Sequence, residues 1–390
     1  MEIAFFDVDS APTTMFLDFS SYFWYLPVVL LGACVGSFLN VVIYRLPLGL
    51  SVNEPKRSFC PLCKNSIVWW RNIPIVSWLL LSGKCADCHA PIPVRYWIVE
   101  VVTALLFAAS WYQSSVLTAL LLFVFMALAV AIGWIDAEHQ IIPISLTWGG
   151  SAVALIYAGF HPELLHLRDP AAAWHAHQGP WWTGVKDAGL GWVLGFFGLW
   201  SVVLLGKMIF GKKKITFDVP TDWQLIDAPT DADPVVFSCE RENIPWDDLF
   251  FRKSDELLLE CTAIELNGST IDQGLLKIRE HEITTPDGMV HSLADVKTLG
   301  GKVTQATIPR EAMGMGDPHL LGMIGAFIGG FGVIFTIASS AVFAIVAAVL
   351  GRIGFGRPLP YGPFLLLGAL TWIFGGWKLW QLYVDWITFR

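Results

Sequence analysis

Eight apolar stretches dominate the chain, at roughly 22–44, 96–113, 115–134, 143–160, 186–207, 319–336, 337–351 and 361–384. A bilayer core takes about 20 apolar residues of helix, and several of these runs approach or exceed that length. A soluble fold interrupts its apolar runs sooner. The runs therefore specify a polytopic α-helical membrane protein with about eight transmembrane helices, and the lipid bilayer is its first partner. Composition agrees, since 55% of the 390 residues are hydrophobic and only 15% are charged. Nineteen Trp and 26 Phe suit a protein with many rings at lipid interfaces. No nucleic-acid partner is expected. Residues 319–351 are almost continuously apolar and too long for one span, so "TIASS" (336–340) is the expected turn within them.

Charge orients the spans. Glu2, Asp7, Asp9 and Asp18 precede the first span without any Lys or Arg, unlike the positive start of a signal peptide. Arg45, Lys56, Arg57, Lys64, Arg71, Lys84 and Arg95 crowd the first loop, which places that loop in the cytoplasm and the N-terminus outside. Alternation then puts 135–142, the "GKKK" at 211–214, Arg352 and Arg357 inside, and the His- and Trp-rich 161–185 outside. The expected organisation is a periplasmic N-terminus and first helix (1–45), a cytoplasmic metal-binding loop (46–95) and helices two to five (96–211). An acidic cytoplasmic insert (212–310) and the last three helices (311–390) follow. The insert holds 18 acidic and 11 basic residues, hence −7 of the chain's net −8. Its "LLLECTAIELNGSTI" and "HEITTPDGMVHSL" combine strand-like alternation with Asn-Gly and Pro-Asp-Gly turns, which reads as a small, mostly β domain. Nothing in it looks catalytic, so a solvated spacer is an equal reading of its role.

Four of the seven cysteines form a pattern, "CPLC" (Cys60, Cys63) and "CADC" (Cys85, Cys88), with 21 residues between the pairs. Two such knuckles complete a tetrahedral zinc shell. A reducing cytoplasm disfavours two disulfides. Four protein ligands would close the shell, so the expected zinc is structural. His89 is surplus to the four. Cys34, Cys239 and Cys261 read as core residues.

Two acids stand at span boundaries. Asp136, in "AIGWIDAEHQIIP", follows the third span, and Asp317, in "GMGDPHLL", precedes the sixth. Charge alternation assigns both to the cytoplasmic edge. A lone boundary aspartate usually caps a helix, and Asp317 suits that reading. Gly314 and Gly316 add something a cap does not need, because they let the backbone turn and approach another segment. Two aspartates at one depth fit an aspartic-protease dyad, in which one carboxyl stays protonated while the other activates water. They equally fit a proton-coupled transporter, or a scaffold whose cysteine loop docks a partner.

Taken in order, these segments resemble the type IV prepilin peptidases, the GxGD-type membrane aspartyl proteases of bacteria. "GSFLNVVIYRLP" (Gly36–Pro47) is similar to the family's first signature, and the CxxC…CxxC loop follows it. "NIPIVSWLLLSGKCADCHAPIPVRYWIVE" (Asn72–Glu100) is similar to the segment with the second cysteine pair. "IDAEHQIIP" resembles the first catalytic motif, "AMGMGDPHLLGMIGAFIG" the GxGD motif, and "YGPFLLLGAL" (Tyr361–Leu370) a late helix start. The resemblance implies Asp136 and Asp317 as catalytic pair, with Gly314, Gly316 and His319 as motif support. It also implies leader removal from type IV prepilins or type II secretion pseudopilins, at the cytoplasmic face of the bacterial inner membrane. Many members also methylate the new N-terminus with S-adenosylmethionine.

Three departures stand out. The family commonly reads Leu-Pro-Asp where this chain has Ile142-Pro143-Ile144. Pro318 and His319 replace a small residue and a Lys. Pro318 suits a first helical turn, and an imidazole titrates nearer neutrality than an ammonium. The long insert is the third. Other polar residues have ordinary readings. Arg45 is an interface anchor, Glu138 a solvated loop residue, Glu100 a partner of Arg95 or Arg45, and Asn40 an interhelical hydrogen-bonder. His161, His166, His175 and His177 lack regular metal-ligand spacing.

Overall fold

A computed structural model describes residues 20–54, 58–60, 62–160, 181–210, 212–226, 235–239, 242–246, 249–250, 255–309, 314–351 and 359–388. The four expected outer-loop histidines lie outside these residues, as do Glu2, Asp7, Asp9, Asp18, Lys56, Arg57, Arg352 and Arg357. The chain divides into two compact units, Met1–Leu199 with Gly316–Arg390, and Trp200–Met315.

The first unit is helical. Its elements are α1 (Ser20–Arg45), α2 (Val76–Leu80), α3 (Val94–Gln113), α4 (Val116–His139), α5 (Ile144–Phe160), α6 (Trp182–Phe210, which runs on into the second unit), α7 (Gly316–Leu350), α8 (Gly362–Thr371) and α9 (Trp377–Thr388). Among the described residues, five helices are long and apolar enough to cross a membrane, at Phe23–Arg45, Val94–Gln113, Val116–His139, Trp182–Gly206 and Gly316–Leu350. The shorter α5 is apolar as well.

The expected eight spans are revised in two places. Residues 316–350 form one 35-residue helix, and its break falls at Gly329 (φ 75, ψ 178). "TIASS" is helical, with the Ser339 and Ser340 hydroxyls donating back to the carbonyls of Phe335 and Ile337. Only glycine tolerates the Gly329 backbone, so the turn goes there and not to the small polar residues. The last expected span is likewise interrupted, by a π-helical segment at Trp372–Gly376 with Gly375 at φ 128.

α4 is the hub, in contact with α1, α3, α5 and α8. Backbone approach is closest where small residues repeat every fourth position. A Cβ on Gly32 or Gly36 of α1 would lie 2.7 Å from the Cα of Ala104 or Glu100 on α3. On α6, one on Gly191 or Gly195 would strike the carbonyl oxygens of Gly325 and Leu321 of α7, at 2.1 and 2.3 Å. This is the small-xxx-small mode of membrane helices, where dispersion at short range replaces a hydrophobic driving force.

Among the described residues, the second unit carries an antiparallel sheet of nine strands: β1 (Lys212–Ile226), β2 (Val236–Cys239), β3 (Glu242–Pro245), β4 (Leu257–Leu266), β5 (Ser269–Ile271), β6 (Gly274–Ile278), β7 (Glu282–Thr284), β8 (Val290–Ser292) and β9 (Leu299–Pro309). The strand order is β3-β2-β1-β9-β4-β6-β7-β8, with β5 paired to β4. The β-rich expectation for the insert is met. Asn267 (φ 51) and Gly268 (φ 79) form the two-residue turn between β4 and β5. Gly288 (φ 86) follows Asp287 in the turn before β8. Alternate residues of β4 face inward until a bulge between Cys261 and Ala263 shifts the register, after which Ile264 and Leu266 resume. The core, built around Trp223, Phe237, Leu259, Ile264, Leu276 and Val303, includes both Cys239 and Cys261. Burial pushes the Cys261 thiol up to about 12.

Candidate active site and cysteine cluster

The two boundary aspartates reach one place by different routes. α4 does not stop before Asp136. It continues to His139, so Asp136 lies within its last turn, and Gln140 ends the helix in the left-handed conformation (φ 55) with its N–H on the Asp136 carbonyl at 2.9 Å. Asp317 is the second residue of α7, and Pro318 sits in the same first turn, as expected. Both carboxylates are buried, at 5% and 7% exposure.

Three backbone features converge here. The Gly362 N–H, at the start of α8, donates to Asp136 Oδ2 at 2.9 Å. A Cβ on Gly362 would lie 2.6 Å from that same oxygen and 3.2 Å from Ile142 Cδ1. A Cβ on Gly316 would lie 2.7 Å from Ile142 Cβ. Ile142 thus fills the space between the start of α7 and the start of α8, and the Asp317 carboxyl comes within electrostatic reach of Asp136. Asp317 Oδ1 is buried without a hydrogen-bond partner among the described residues, so this carboxylate is not spent on capping its own helix. A buried, unbonded acceptor is costly unless another species uses it.

Sequence reasoning put both acids at one boundary and missed part of their setting. Gly362 and Ile142 carried no assigned role. The Pro363 that follows Gly362 was the available signal, since proline near a helix start marks where free N–H groups point outward. Gly316 makes the expected close approach. Gly314 does not: it is exposed, with nothing within 4 Å of a Cβ. His319 is held between aromatic rings, 5.9 Å from Trp148 and 4.9 Å from Phe196. The departing Ile144 is 51% exposed, away from the packing that Ile142 makes.

Three other sequence readings change. Glu138 belongs to α4, pairs with Arg95 and accepts from Trp134 Nε1. Arg95 is therefore not available to Glu100. Arg45 is buried (6% exposed), where it donates to the carbonyls of Ser51 and Val52 and pins the chain after α1, so it is no interface anchor. Glu100 pairs with neither arginine; its Oε2 accepts the Ile75 N–H at 2.6 Å. Asn40 behaves as expected, donating from α1 to the Tyr96 carbonyl of α3.

The cysteine loop is built as two copies of one turn. Lys64 N donates to the Cys60 carbonyl, and His89 N to that of Cys85. Cys60 N bonds the Asn65 carbonyl, and Cys85 N that of Ala90. Lys64 (φ 59) and His89 (φ 57) hold equivalent left-handed positions, so His89 serves the turn and not the cluster. Asp87 ties the copies together through Arg71 and Asn65. The four sulfur atoms lie within 4.8 Å of one another. Donation from the N–H groups of Cys63 and Leu62 brings the Cys60 thiol down to about 7. Such a set could hold a metal ion such as zinc.

Between this loop and the ends of α1 and α3 lies a cavity of about 420 Å³, lined by Ser37, Asn40, Tyr44, Trp78, Tyr96 and Glu100 among others. That size suits a small-molecule site.

A family model described as the bacterial peptidase A24 N-terminal domain matches residues 30–114. Three similar curated proteins bear the name prepilin leader peptidase/N-methyltransferase. The one from Myxococcus xanthus is 45% identical over 133 residues, covering 33% of this chain and 38% of the relative. Those from Pseudomonas aeruginosa (35%) and Pseudomonas putida (34%) match over 217 and 215 residues, or 48% and 50% of this chain. The chain thus spans 38%, 66% and 68% of these relatives' own lengths. No solved structure matches. With this degree of identity over two thirds of a relative, and with the paired cysteine turns inside the matched domain, the chain belongs to the prepilin leader peptidase/N-methyltransferase family.

Proposed function

We propose that this protein is an aspartic endopeptidase of the bacterial inner membrane that removes the leader peptide of type IV prepilins or type II secretion pseudopilins. The observation that carries the proposal is the meeting of Asp136 and Asp317 around Ile142, with the Gly362 N–H on one carboxylate and the other left unbonded. The two acids share a proton. The carboxylate form takes a proton from water, which attacks the scissile carbonyl, while the acid form protonates the carbonyl oxygen; the proton gained from water then goes to the leaving amine, and the collapsing diol returns its proton to the pair. Each role belongs to the pair, since coupled acids titrate together.

The excess of Lys and Arg in the first loop supports a cytoplasmic site. The breaks at Gly329 and Gly375 support a chain that crosses the membrane about eight times with bent late segments. The Cys60–Cys63–Cys85–Cys88 cluster holds structural zinc in this reading. The family's second activity, N-methylation of the new N-terminus, is assigned to the cavity under the cysteine loop. When bound there, S-adenosylmethionine supplies an electrophilic methyl group.

The deciding experiment is cleavage of a prepilin by detergent-purified protein, followed as a mobility shift. Asp136→Asn and Asp317→Asn are each expected to abolish cleavage while membrane insertion and zinc content persist. Full cleavage by either variant ends the dyad proposal.

A further inference from the structure

Glu100 is a buried carboxylate without a cation. It is 8% exposed, and among the described residues no Lys, Arg or His pairs with it. The Ile75 N–H and the Ser37 hydroxyl donate to it. Those two bonds leave capacity on a group that can accept about four. The other charges on the cavity wall are engaged elsewhere. Arg71 pairs with Asp87, and Arg45 donates to the carbonyls of Ser51 and Val52. Asn40, 2% exposed and on the same wall, donates its amide to Tyr96 and leaves Oδ1 buried without a partner. The wall therefore presents unused acceptors, one of them an acid with no cation beside it among the described residues. An ionised carboxyl buried in this way costs several kcal/mol unless something opposite joins it, so a bound cation favours the charged form.

The backbone around Glu100 is also out of the ordinary. Ile75, the donor, has φ 66. A β-branched residue in that region is a strained outlier, and such residues persist where surrounding structure holds them. The 2.6 Å bond to Glu100 is one such restraint. The carboxylate is thus fixed in position, facing a space of about 420 Å³ with Trp78, Tyr44 and Tyr96 on its walls. Aromatic walls beside a fixed carboxyl group suit an organic cation.

We propose that the cavity bounded by α1, α3 and the cysteine loop binds an organic cation, an ammonium or a sulfonium, against Glu100 with Asn40 Oδ1 as second acceptor. The naming of these two groups rests on the methylation reading, in which the acceptor amine and S-adenosylmethionine are the cations at hand; the cation chemistry itself does not.

Calorimetric titration of the full-length protein in detergent tests this. One arm compares S-adenosylmethionine with S-adenosylhomocysteine, which lacks the sulfonium charge. The other compares a short peptide bearing a free α-amine with its N-acetylated form. At least one charged probe is expected to bind more tightly than its uncharged counterpart, and which arm shows the difference identifies the occupant. Glu100→Gln, which keeps an oxygen for Ile75, is expected to weaken that probe about 30-fold, the low end for loss of a buried charge partner. The charge comparison on the parent protein needs no variant, so a misfolded Glu100→Gln does not shield the proposal. Equal binding of charged and uncharged probes in both arms overturns it, as does undiminished affinity in a folded Glu100→Gln. Methyl transfer, measured separately, keeps the two ideas apart. Charge-dependent binding without transfer refutes the methylation reading alone, and transfer without charge dependence refutes the cation site alone.

Discussion

Replacing Gly362 with alanine is the most informative single perturbation of the proposed site. Gly362 occupies the start of α8, where alanine would ordinarily favour the helix by about 1 kcal/mol. Here the added Cβ falls 2.6 Å from Asp136 Oδ2 and 3.1 Å from its Cγ, and ordinary contact begins at 3.4 Å. The carboxylate, or the whole start of α8, must retreat by the difference, on the order of 1 Å. Retreat on the other side is blocked by Ile142, whose Cδ1 is already 3.2 Å from the same Cβ position. The 2.9 Å bond from Gly362 N to Asp136 is then stretched or lost. A hydrogen bond to a charged group contributes about 1.5–3 kcal/mol, and overpacking adds about 1–3 kcal/mol of strain. A misplacement near 1 Å at a reacting centre costs about 100-fold in rate. Gly362→Ala is therefore expected to cleave a prepilin at about 1% of the parent rate or less. The mobility-shift assay should include Gly316→Ala, whose Cβ would meet Ile142 at 2.7 Å, and Gly314→Ala, whose Cβ would meet nothing within 4 Å. The expected order is a severe loss at 362, a comparable loss at 316 and parent-like activity at 314. Parent-like cleavage by a folded Gly362→Ala would refute the idea that this N–H and this lack of a side chain position Asp136.

Gly329→Ala should lower the melting temperature, because φ 75 with ψ 178 costs a non-glycine residue about 1–3 kcal/mol; an unchanged melting temperature would show that the break lies elsewhere. Cys63→Ser should reduce bound zinc in elemental analysis and expose the loop to proteolysis, whereas full zinc content would exclude the four-sulfur site. Excision of 215–308 joins chain ends that already lie side by side, since Lys214 is paired with Thr307 and Lys213 with Ile308 across β1 and β9. That deletion is expected to retain fold, zinc and cleavage, and a folded, zinc-loaded deletion without cleavage would show that the sheet handles substrate.

Local rules made much of this protein readable in advance. Run length declared the membrane helices, because apolar residues in such number have no other partner. The CxxC spacing declared the cysteine cluster, because each turn of that length brings its own two sulfurs together locally. Asn267-Gly268 and Asp287-Gly288 declared turns in the insert for the same local reason. Asp136 and Asp317 stood out as well, through their shared position at a boundary rather than through any knowledge of contact.

What local rules could not supply was the third party to each contact. Gly329 and "TIASS" are both plausible breaks by composition; the backbone region that only glycine tolerates decided between them. Glu100 had two arginines as expected partners, yet Arg95 went to Glu138 and Arg45 to loop carbonyls, because helix packing and loop closure set those distances. Gly362 lies 226 residues from Asp136, and its role exists only because α8 packs on α4. Sequence alone determined which groups this protein has to bury, since burial follows from solvent preference residue by residue. Which partners those groups find was decided by tertiary structure, since hydrogen bonds and ion pairs act over a few ångströms and only the packed helices bring distant segments that close.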